Sequence, residues 1–271
     1  MNHKLNNNIL VKEQYKDSKN LDARSYLHAK FSTNNYGWMN WLFDNMSFKS
    51  GCKILELGCG NGELWKSNLH RVGSDWEIVL TDFSEGMLET ARNKIKDDRF
   101  KFLAVDAQDI PFAENSFDIV IANHMLYHVP DRKRAMSEIS RVLKSEGSFY
   151  ASTTGIKNMA GLRELINRFD SRINYPNRAE IIGFNLENGI NELIEFFDDI
   201  RVVRYEDSLV ITEAEPLINY VLSLKEFGNI ATILIDDKLK DFKKYIEDII
   251  KENGSIYITK DAGLFIAKNK R

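Results

Sequence analysis

The stretch ILELGCGNGELW, residues 54–65, decides the fold of this chain. Its apolar beginning predicts a buried strand, which runs into a turn containing Gly58, Gly60 and Gly62 before a helix begins. Glycine has no side chain, so it allows a tight backbone turn and the close approach of a ligand. Main-chain amide groups at the start of the helix would face that ligand. The stretch therefore predicts a strand–turn–helix unit that binds a nucleotide-like molecule.

Strand-like and helix-like segments alternate around this unit between residues 53 and 153. Short apolar runs of this kind suit parallel strands that are covered on both faces. Ser84 is predicted to cap the first helix, and Gly147 is predicted to follow the last turn of the second. The pattern predicts a doubly wound α/β sheet with ligands at the carboxyl ends of its strands. The predicted strands are 53–57, 77–82, 100–106, 117–123 and 147–153, and the predicted helices are 84–96 and 132–147.

The pattern after residue 153 is looser and mainly helical. Two late strands, the second of them a strand or a terminal hairpin, are expected to complete a seven-stranded, mostly parallel sheet. The expected parts are an N-terminal helical lid segment (1–50), an α/β ligand-binding core (51–155), and helical insertions with the two last strands of the same domain (156–271). The later helices are predicted at 159–173, 190–197, 215–224 and 239–250, and the strands at 199–212 and 255–268.

The composition of the chain restricts the classes of function. With 271 residues, 43% of them hydrophobic, the chain can bury a full core. A net charge of −3 gives no support for a nucleic-acid-binding face. The two cysteines, Cys52 and Cys59, do not indicate a disulfide framework. The polar N-terminus and the lack of an apolar run of about 20 residues indicate neither a signal peptide nor a membrane span. We therefore expect a cytoplasmic protein.

Polar residues at the next two strand ends narrow the choice of ligand. The turn reads Gly-x-Gly-x-Gly, which differs from the Gly-x-Gly-x-x-Gly of dinucleotide-binding proteins. The second strand ends in TDFS, and a carboxylate such as Asp82 at this place can accept hydrogen bonds from both hydroxyls of a ribose. The third strand ends in VDAQDIPF, where an acid, a small residue and an amide suit the edge of an adenine ring. Asp82 could instead cap a helix, and Asp109 could serve in place of Asp106.

Taken together, these motifs resemble the class I S-adenosylmethionine-dependent methyltransferases, of the small-molecule type found in the ubiquinone/menaquinone-biosynthesis-like group. The resemblance lies in LELGCGNG, TDFS, VDAQDIPF and SFDIVIANHMLYHVPD, and it continues through RVLKSEGSFYAST. It covers residues 53–153 tightly and the remainder loosely. It implies a Rossmann-like methyltransferase fold with helical lid insertions, and S-adenosyl-L-methionine as cofactor.

The resemblance also implies which residues contact the cofactor. Near its methionine part would lie Glu56, Gly58, Gly60 and Gly62, with main-chain contacts from Cys59 and Asn61. Its ribose and adenine would meet Asp82, Phe83, Met87, Asp106, Ala107 and Gln108, and its sulfonium would be flanked by Asn123 and His124.

Candidate catalytic residues are fewer. His124 and His128 could each act as a general base, since imidazole titrates near neutral pH, or could simply pack or cap at the loop. Among the five histidines and two cysteines they also form the only pair at zinc-ligand spacing, and they lack the intervening glutamate of a metalloprotease motif, so no metal site is expected. In the N-terminal segment a basic group could pair with the cofactor's carboxylate while aromatic rings close over the site; the alternative is a surface helix. That block contains Tyr15, Arg24, Tyr26, His28, Lys30 and Phe31.

The expected activity is methyl transfer from S-adenosylmethionine to an oxygen, nitrogen or carbon nucleophile of a small molecule. Such a transfer depends mainly on holding donor and nucleophile in line, and it does not require a particular catalytic side chain. The alternatives are an RNA or protein methyltransferase, a non-catalytic S-adenosylmethionine-binding subunit, and an NAD-dependent oxidoreductase. A basic or open face for a macromolecule is not evident in the sequence, and the glycine spacing argues against NAD.

Overall fold

A seven-stranded sheet forms the centre of the protein. The computed structural model describes residues 19–175, 183–224 and 228–270. The strands of this sheet are β1 (Lys53–Leu57), β2 (Glu77–Asp82), β3 (Phe100–Ala104), β4 (Phe117–Asn123), β5 (Leu143–Thr154), β6 (Phe197–Tyr205) and β9 (Ala262–Asn269). Their order is β3-β2-β1-β4-β5-β9-β6; neighbouring strands from β3 to β5 are parallel, and β9 is antiparallel to both β5 and β6. The predicted seven-stranded, mostly parallel α/β sheet is therefore confirmed.

The helices that connect the parallel strands cover the two faces of this sheet. The Ser84 side chain accepts a hydrogen bond from the Met87 amide, which confirms it as the N-cap of the helix after β2. The helices of this part are α2 (Trp38–Asp44), α3 (Glu63–Asn68), α4 (Glu85–Ile95) and α5 (Arg132–Val142).

The predicted end of the second helix, at Gly147, is wrong. Helix α5 ends at Val142, and the next residues already belong to β5, where Leu143 is buried and pairs with Phe117. Burying this leucine in the sheet stabilises an early strand start over another helical turn. Gly147 lies inside β5, where a β-carbon would come within 2.8 Å of the Lys144 carbonyl oxygen. This glycine therefore permits a close approach of the backbone in a strand.

Each of the two late strand segments breaks into two strands. The segment predicted as 199–212 divides into β6 and β7 (Ser208–Ile211), and the segment 255–268 divides into β8 (Ile256–Thr259) and β9. Strands β6 and β9 join the main sheet, whereas β7 and β8 pair with each other in a separate sheet. The breaks fall at Asp207 and Lys260, whose side chains form a buried ion pair. The chain therefore passes from one sheet to the other twice at the same place.

Helices and the small sheet form a cap with its own hydrophobic core. Side chains from these elements make one buried cluster, which includes Leu27, Leu162, Leu217 and Phe242. The cap contains α1 (Lys19–Phe31), α6 (Ala160–Phe169), α8 (Ala214–Leu222), α9 (Ile230–Ile233), α10 (Asp236–Asn253), β7 and β8, while α7 (Gly189–Leu193) lies beside β6.

The predicted N-terminal lid divides between these two parts of the molecule. Helix α1 packs against α8 in the cap, while α2 packs against α3 on the main sheet. Leu42 of α2 is fully buried in the core of the sheet, and Trp38 and Trp41 pack against that core. Residues 1–18 lie outside the described part of the chain, and Tyr15 lies among them. In the described ranges, no helix is long and apolar enough to cross a membrane.

Candidate active site

The turn after β1 has a backbone conformation that favours glycine. Gly58, Gly60 and Gly62 have φ angles of 67°, 54° and 74°. A β-carbon on Gly58 would lie 2.7 Å from the Met125 Cβ, so the turn packs directly against the segment after β4. Gly58 and Gly60 line a cavity. Gly62 lies behind it, where a β-carbon would meet the Ile95 Cδ1 at 2.9 Å.

Asp82, at the end of β2, holds this turn in place. Its Oδ2 accepts a hydrogen bond from the Gly60 amide at 2.9 Å, and its Oδ1 accepts one from the Ser84 amide at 2.8 Å. Burial raises the pKa of the Asp82 carboxyl, although these two amides oppose the shift. Asp82 therefore shapes the glycine turn and also presents a carboxylate to the cavity.

Glu56, on β1, places a second carboxyl group beside the first. Its side chain lies in the cavity wall and is 2% exposed. The Trp65 indole N–H donates a hydrogen bond to its Oε2 at 2.6 Å. Burial raises the pKa of Glu56 to about 8, with a further contribution from the charge of Asp82. A cationic ligand group beside these two carboxyls would favour their ionised forms.

Gln108 fixes Asp106 after β3. The Gln108 side-chain amide donates to both oxygens of Asp106, at 2.9 Å and 3.0 Å, and the Gln108 main-chain amide donates to Oδ1 at 2.9 Å. The Gln108 Oε1 in turn accepts a hydrogen bond from the Asp131 amide at 3.0 Å. Asp106, Ala107 and Gln108 line the cavity and Asp109 does not. The geometry therefore favours Asp106 over Asp109 as the acid that faces a ligand.

The end of β4 brings two histidines to the same cavity. Asn123 accepts a hydrogen bond from the Ser152 hydroxyl. His124 has a left-handed backbone (φ 52°), and its ring lies 5.1 Å from the Trp38 ring, centroid to centroid. His128 ends the short 3-10 turn Leu126–His128, and its ring lies 4.6 Å from that of Tyr127. Both histidines line the cavity, so the geometry keeps both as candidate bases.

One cavity of about 970 Å³ collects nearly all of the predicted residues. Small-molecule sites commonly have volumes of roughly 300–1,000 Å³, so this cavity has room for a cofactor and an acceptor together. Within the described ranges, no group of three or more His, Cys, Asp or Glu residues could hold a metal ion. Of the residues predicted to contact the cofactor, Gly62 alone lies outside the lining; those that line it are Glu56, Gly58, Cys59, Gly60, Asn61, Asp82, Phe83, Met87, Asp106, Ala107, Gln108 and Asn123.

The N-terminal block contributes only part of its side chains to the cavity. Arg24, Tyr26 and His28 line it. Lys30 instead pairs with Glu213 at 2.6 Å, and Phe31 is buried in the core of the cap. Arg24 and His28, four residues apart on α1, therefore lie at the cavity, whereas Lys30 and Phe31 have structural contacts.

Sequence reasoning missed the lining residues after position 153, on the opposite side of the cavity. These residues come from five separated segments of the chain, and none belongs to a recognisable motif. Their residue types, mainly tyrosine, asparagine and single charges, are common on protein surfaces, so the sequence contains no signal that would have selected them. They include Asn158, Arg163, Tyr205, Asp207, Tyr220 and Lys260.

Comparison with known proteins identifies the core of the chain. Residues 55–151 match the family model for a methyltransferase domain. The ubiquinone/menaquinone biosynthesis C-methyltransferase UbiE of Idiomarina loihiensis is 32% identical over 114 residues, which cover 41% of this chain and 45% of that protein. The demethylmenaquinone methyltransferase of Staphylococcus saprophyticus is 38% identical over 112 residues, which cover 41% of this chain and 48% of that protein. The matched region thus spans about half the length of these two relatives.

Solved structures share the fold over more of the chain. Phosphoethanolamine N-methyltransferase 2 of Haemonchus contortus, in complex with S-adenosyl-L-methionine, has a TM-score of 0.58 at 17% identity and covers 97% of this chain and 60% of its own. The YcgJ protein of Bacillus subtilis has a TM-score of 0.52 at 16% identity and covers 86% of this chain and 98% of its own. At such identities these similarities concern the fold alone.

The sequence match, the sheet order and the position of the glycine turn agree. Residues 55–151 are a class I S-adenosylmethionine-dependent methyltransferase domain. Within that class, the domain is related to the enzymes of the ubiquinone/menaquinone-biosynthesis group.

Proposed function

We propose that this chain is an enzyme that transfers a methyl group from S-adenosyl-L-methionine to an oxygen, nitrogen or carbon nucleophile of a small molecule. The observation that carries the proposal is the cavity of about 970 Å³, which joins the ends of β1, β2, β3 and β4 to the cap. Parallel sheets of this type bind ligands at the carboxyl ends of their strands. The names of the relatives, both methyltransferases of quinone biosynthesis, agree with a small acceptor.

The residues at these strand ends suit the proposed cofactor. Its sulfonium and ammonium groups are cationic, and the buried carboxyl group of Glu56 and the half-buried carboxyl group of Asp82 lie beside the glycine turn. In the proposed arrangement, Asp82 accepts hydrogen bonds from the ribose hydroxyls, and Asp106 with Ala107 meets the adenine edge. Phe83 and Met87 lie against the ring, and the remaining predicted contacts, from Gly58, Cys59, Gly60, Asn61, Gln108 and Asn123, complete the pocket.

The cofactor supplies an activated methyl group, so the task of the chain is to orient the two substrates and exclude water. Residues from the cap and its connections line the cavity opposite the strand ends, and the Trp38 ring on that side lies close to His124. His124 is the better placed candidate for accepting a proton from the nucleophile, because it adjoins both sides of the cavity. His128 remains the second candidate.

Calorimetric titration with S-adenosylmethionine, S-adenosylhomocysteine and NAD in parallel tests the proposal. We expect both sulfur compounds to bind and NAD to show no binding. Absence of binding by both sulfur compounds would overturn the assignment. A turnover assay with a library of small acceptors then separates an enzyme from a non-catalytic binding subunit. The proposed compartment is the cytoplasm, since Cys52 and Cys59 are both buried free thiols.

A further inference from the structure

Charged residues are distributed unequally between the two sides of the cavity. We define the core wall as the lining residues between 56 and 130, and the cap wall as those before residue 41 and after residue 153. Among the described residues, the core wall carries four carboxyl groups and one cation, whereas the cap wall carries three cations and one carboxyl group. The core wall has Glu56, Glu63, Asp82, Asp106 and Lys94, and the cap wall has Arg24, Arg163, Lys260 and Asp207.

The carboxylate oxygens of Asp207, in the cap wall, already have hydrogen-bond and ion-pair partners within the protein. Asp207 accepts hydrogen bonds from the Ser32 hydroxyl at 2.7 Å and from the Asn34 amide at 3.1 Å, and it is paired with Lys260. Its side chain is completely buried. It therefore compensates Lys260 and has no capacity left for another cation of the wall.

Arg163 presents a positive charge that no described carboxylate neutralises. Its guanidinium donates hydrogen bonds to two main-chain carbonyls, those of Asn158 at 3.1 Å and Ile156 at 3.3 Å. These contacts fix the side chain at the beginning of α6, and no carboxylate of the described residues forms an ion pair with it. A cation held in this way beside a cavity attracts an anionic ligand group.

Buried hydrogen-bonding atoms of the same wall also lack hydrogen bonds of good geometry within the described residues. Among the described residues, none of the Trp38 Nε1, Tyr205 Oη and His28 Nδ1 atoms makes a hydrogen bond of good geometry, although the Tyr205 hydroxyl lies near Gly37 and Ser32. Trp38 can only donate, and the other two can donate as well. Burial, aided by the charge of Lys260, lowers the pKa of His28 to about 3 and so keeps its ring neutral. Unmade hydrogen bonds at buried groups are costly, so several in one wall indicate a ligand that accepts hydrogen bonds.

We propose that the cap wall binds an anionic group of the methyl acceptor, a carboxylate or a phosphate, through Arg163 and the buried donors of Trp38 and Tyr205. The proposal rests on the methyltransferase function and adds to it the chemical class of the substrate. A cationic methyl donor then occupies the acidic core wall, and an anionic acceptor occupies the basic cap wall. Electrostatic attraction between the cationic methyl donor and the anionic acceptor would then keep the two substrates close together within the cavity.

Small aromatic probes test this binding, because aromatic rings line the cap wall. Benzoate and phenyl phosphate represent the two anionic groups, and benzyl alcohol is the neutral control. Each probe is titrated by ligand-observed NMR against the full chain, with and without saturating S-adenosylhomocysteine. We expect at least one anion to bind about tenfold more tightly than benzyl alcohol. The anion that binds more tightly then shows whether the acceptor group is a carboxylate or a phosphate.

Two substitutions connect the binding to the cap wall. R163Q should weaken binding of the anion about tenfold, and R163K should restore part of it. R168Q is the matched control, since Arg168 lies on the same helix with its side chain 75% exposed, and we expect no change. Y205F should weaken binding of the anion several-fold while the melting temperature changes little, because the hydroxyl makes no hydrogen bond of good geometry with the described residues.

Equal binding of benzyl alcohol and both anions would overturn the proposal, as would anion binding that neither R163Q nor Y205F changes. The titrations without S-adenosylhomocysteine distinguish a failure of the acceptor proposal from a failure of the proposed methyltransferase function. If S-adenosylhomocysteine fails to bind but the anion still depends on Arg163, the cofactor assignment fails and the anion subsite stands. If S-adenosylhomocysteine binds normally and the anions do not, only the acceptor proposal fails.

Discussion

Cofactor binding should release a proton from Glu56. Burial raises the pKa of this carboxyl to about 8 in the free protein, so at pH 7 it is protonated in about nine molecules out of ten. A bound cation next to the carboxyl would favour its ionised form. We therefore expect binding of S-adenosylhomocysteine, through its ammonium group, to release about 0.9 proton at pH 7 and about 0.1 proton at pH 9.

Calorimetry measures this proton release directly. The apparent enthalpy of binding is compared at pH 7 in phosphate and in Tris, two buffers with different enthalpies of ionisation. E56Q should bind without the release, because glutamine keeps an oxygen for the Trp65 indole but has no proton to lose. E89Q, at an exposed position of α4, is the matched control and should release as many protons as the unchanged protein.

The same carboxyl predicts how stability depends on pH. The pKa of Glu56 in the folded protein lies above its ordinary value of 4.5, so the folded state holds a proton that the unfolded state has lost. The contribution of this bound proton to the free energy of unfolding is complete below pH 4.5 and is lost as the pH rises towards about 8. The free energy of unfolding should fall by about 2 kcal/mol between pH 6 and pH 8, and E56Q should remove that part of the dependence. Proton release that persists in E56Q would refute the reasoning.

Three other substitutions test the site and its support. D82N should weaken S-adenosylhomocysteine binding by about 1.5–3 kcal/mol in calorimetry, and unchanged affinity would move the ribose contact elsewhere. G62V should destabilise the fold by about 2–4 kcal/mol in urea unfolding, because it adds a clash with α4 at 2.9 Å to the strain of a φ of 74°. G254V, with a φ of 79° and nothing within 4 Å, measures strain alone, and an equal loss in both variants would exclude the clash. D207N should cost about 3–5 kcal/mol by leaving Lys260 without its buried partner, and D207N/K260M should regain part of that loss.

The core wall could be predicted because its determinants are local in sequence. Each parallel strand ends in a short motif, and the topology brings those ends to one edge of the sheet. Asp82 shows what this reasoning omits. The sequence suggests a ribose contact, and the structure adds that the same carboxylate holds the Gly60 amide. D82A would therefore remove the acceptors of both main-chain amides as well as the ligand contact, whereas D82N keeps one side-chain oxygen for them and is the less disruptive variant.

The breaks in the late strands could not be predicted, because no glycine or proline marks them. The charged residues at the two breaks, Glu206–Asp207 and Lys260–Asp261, resemble others within these segments, such as Arg201 inside β6. The pairing of Asp207 with Lys260 across 53 positions of the chain is visible only in the structure. Gly147 misled the prediction for a related reason. A glycine after a helical pattern normally indicates a helix end, but here the burial of Leu143 starts the strand first.

Sequence similarity to known proteins covers the core wall of the cavity but not the cap wall. The family match covers residues 55–151, which contain the whole core wall and none of the cap wall. Similarity to quinone-biosynthesis enzymes therefore supports the cofactor side of the cavity and gives no direct information about the acceptor side. The Asp207–Lys260 pair and the bonds of Asp207 to Ser32 and Asn34 fix three passages of the chain between cap and sheet at one place. That attachment holds Tyr205 and the other donors of the cap wall opposite the strand ends, so the identity of the acceptor has to be sought in the cap's own residues.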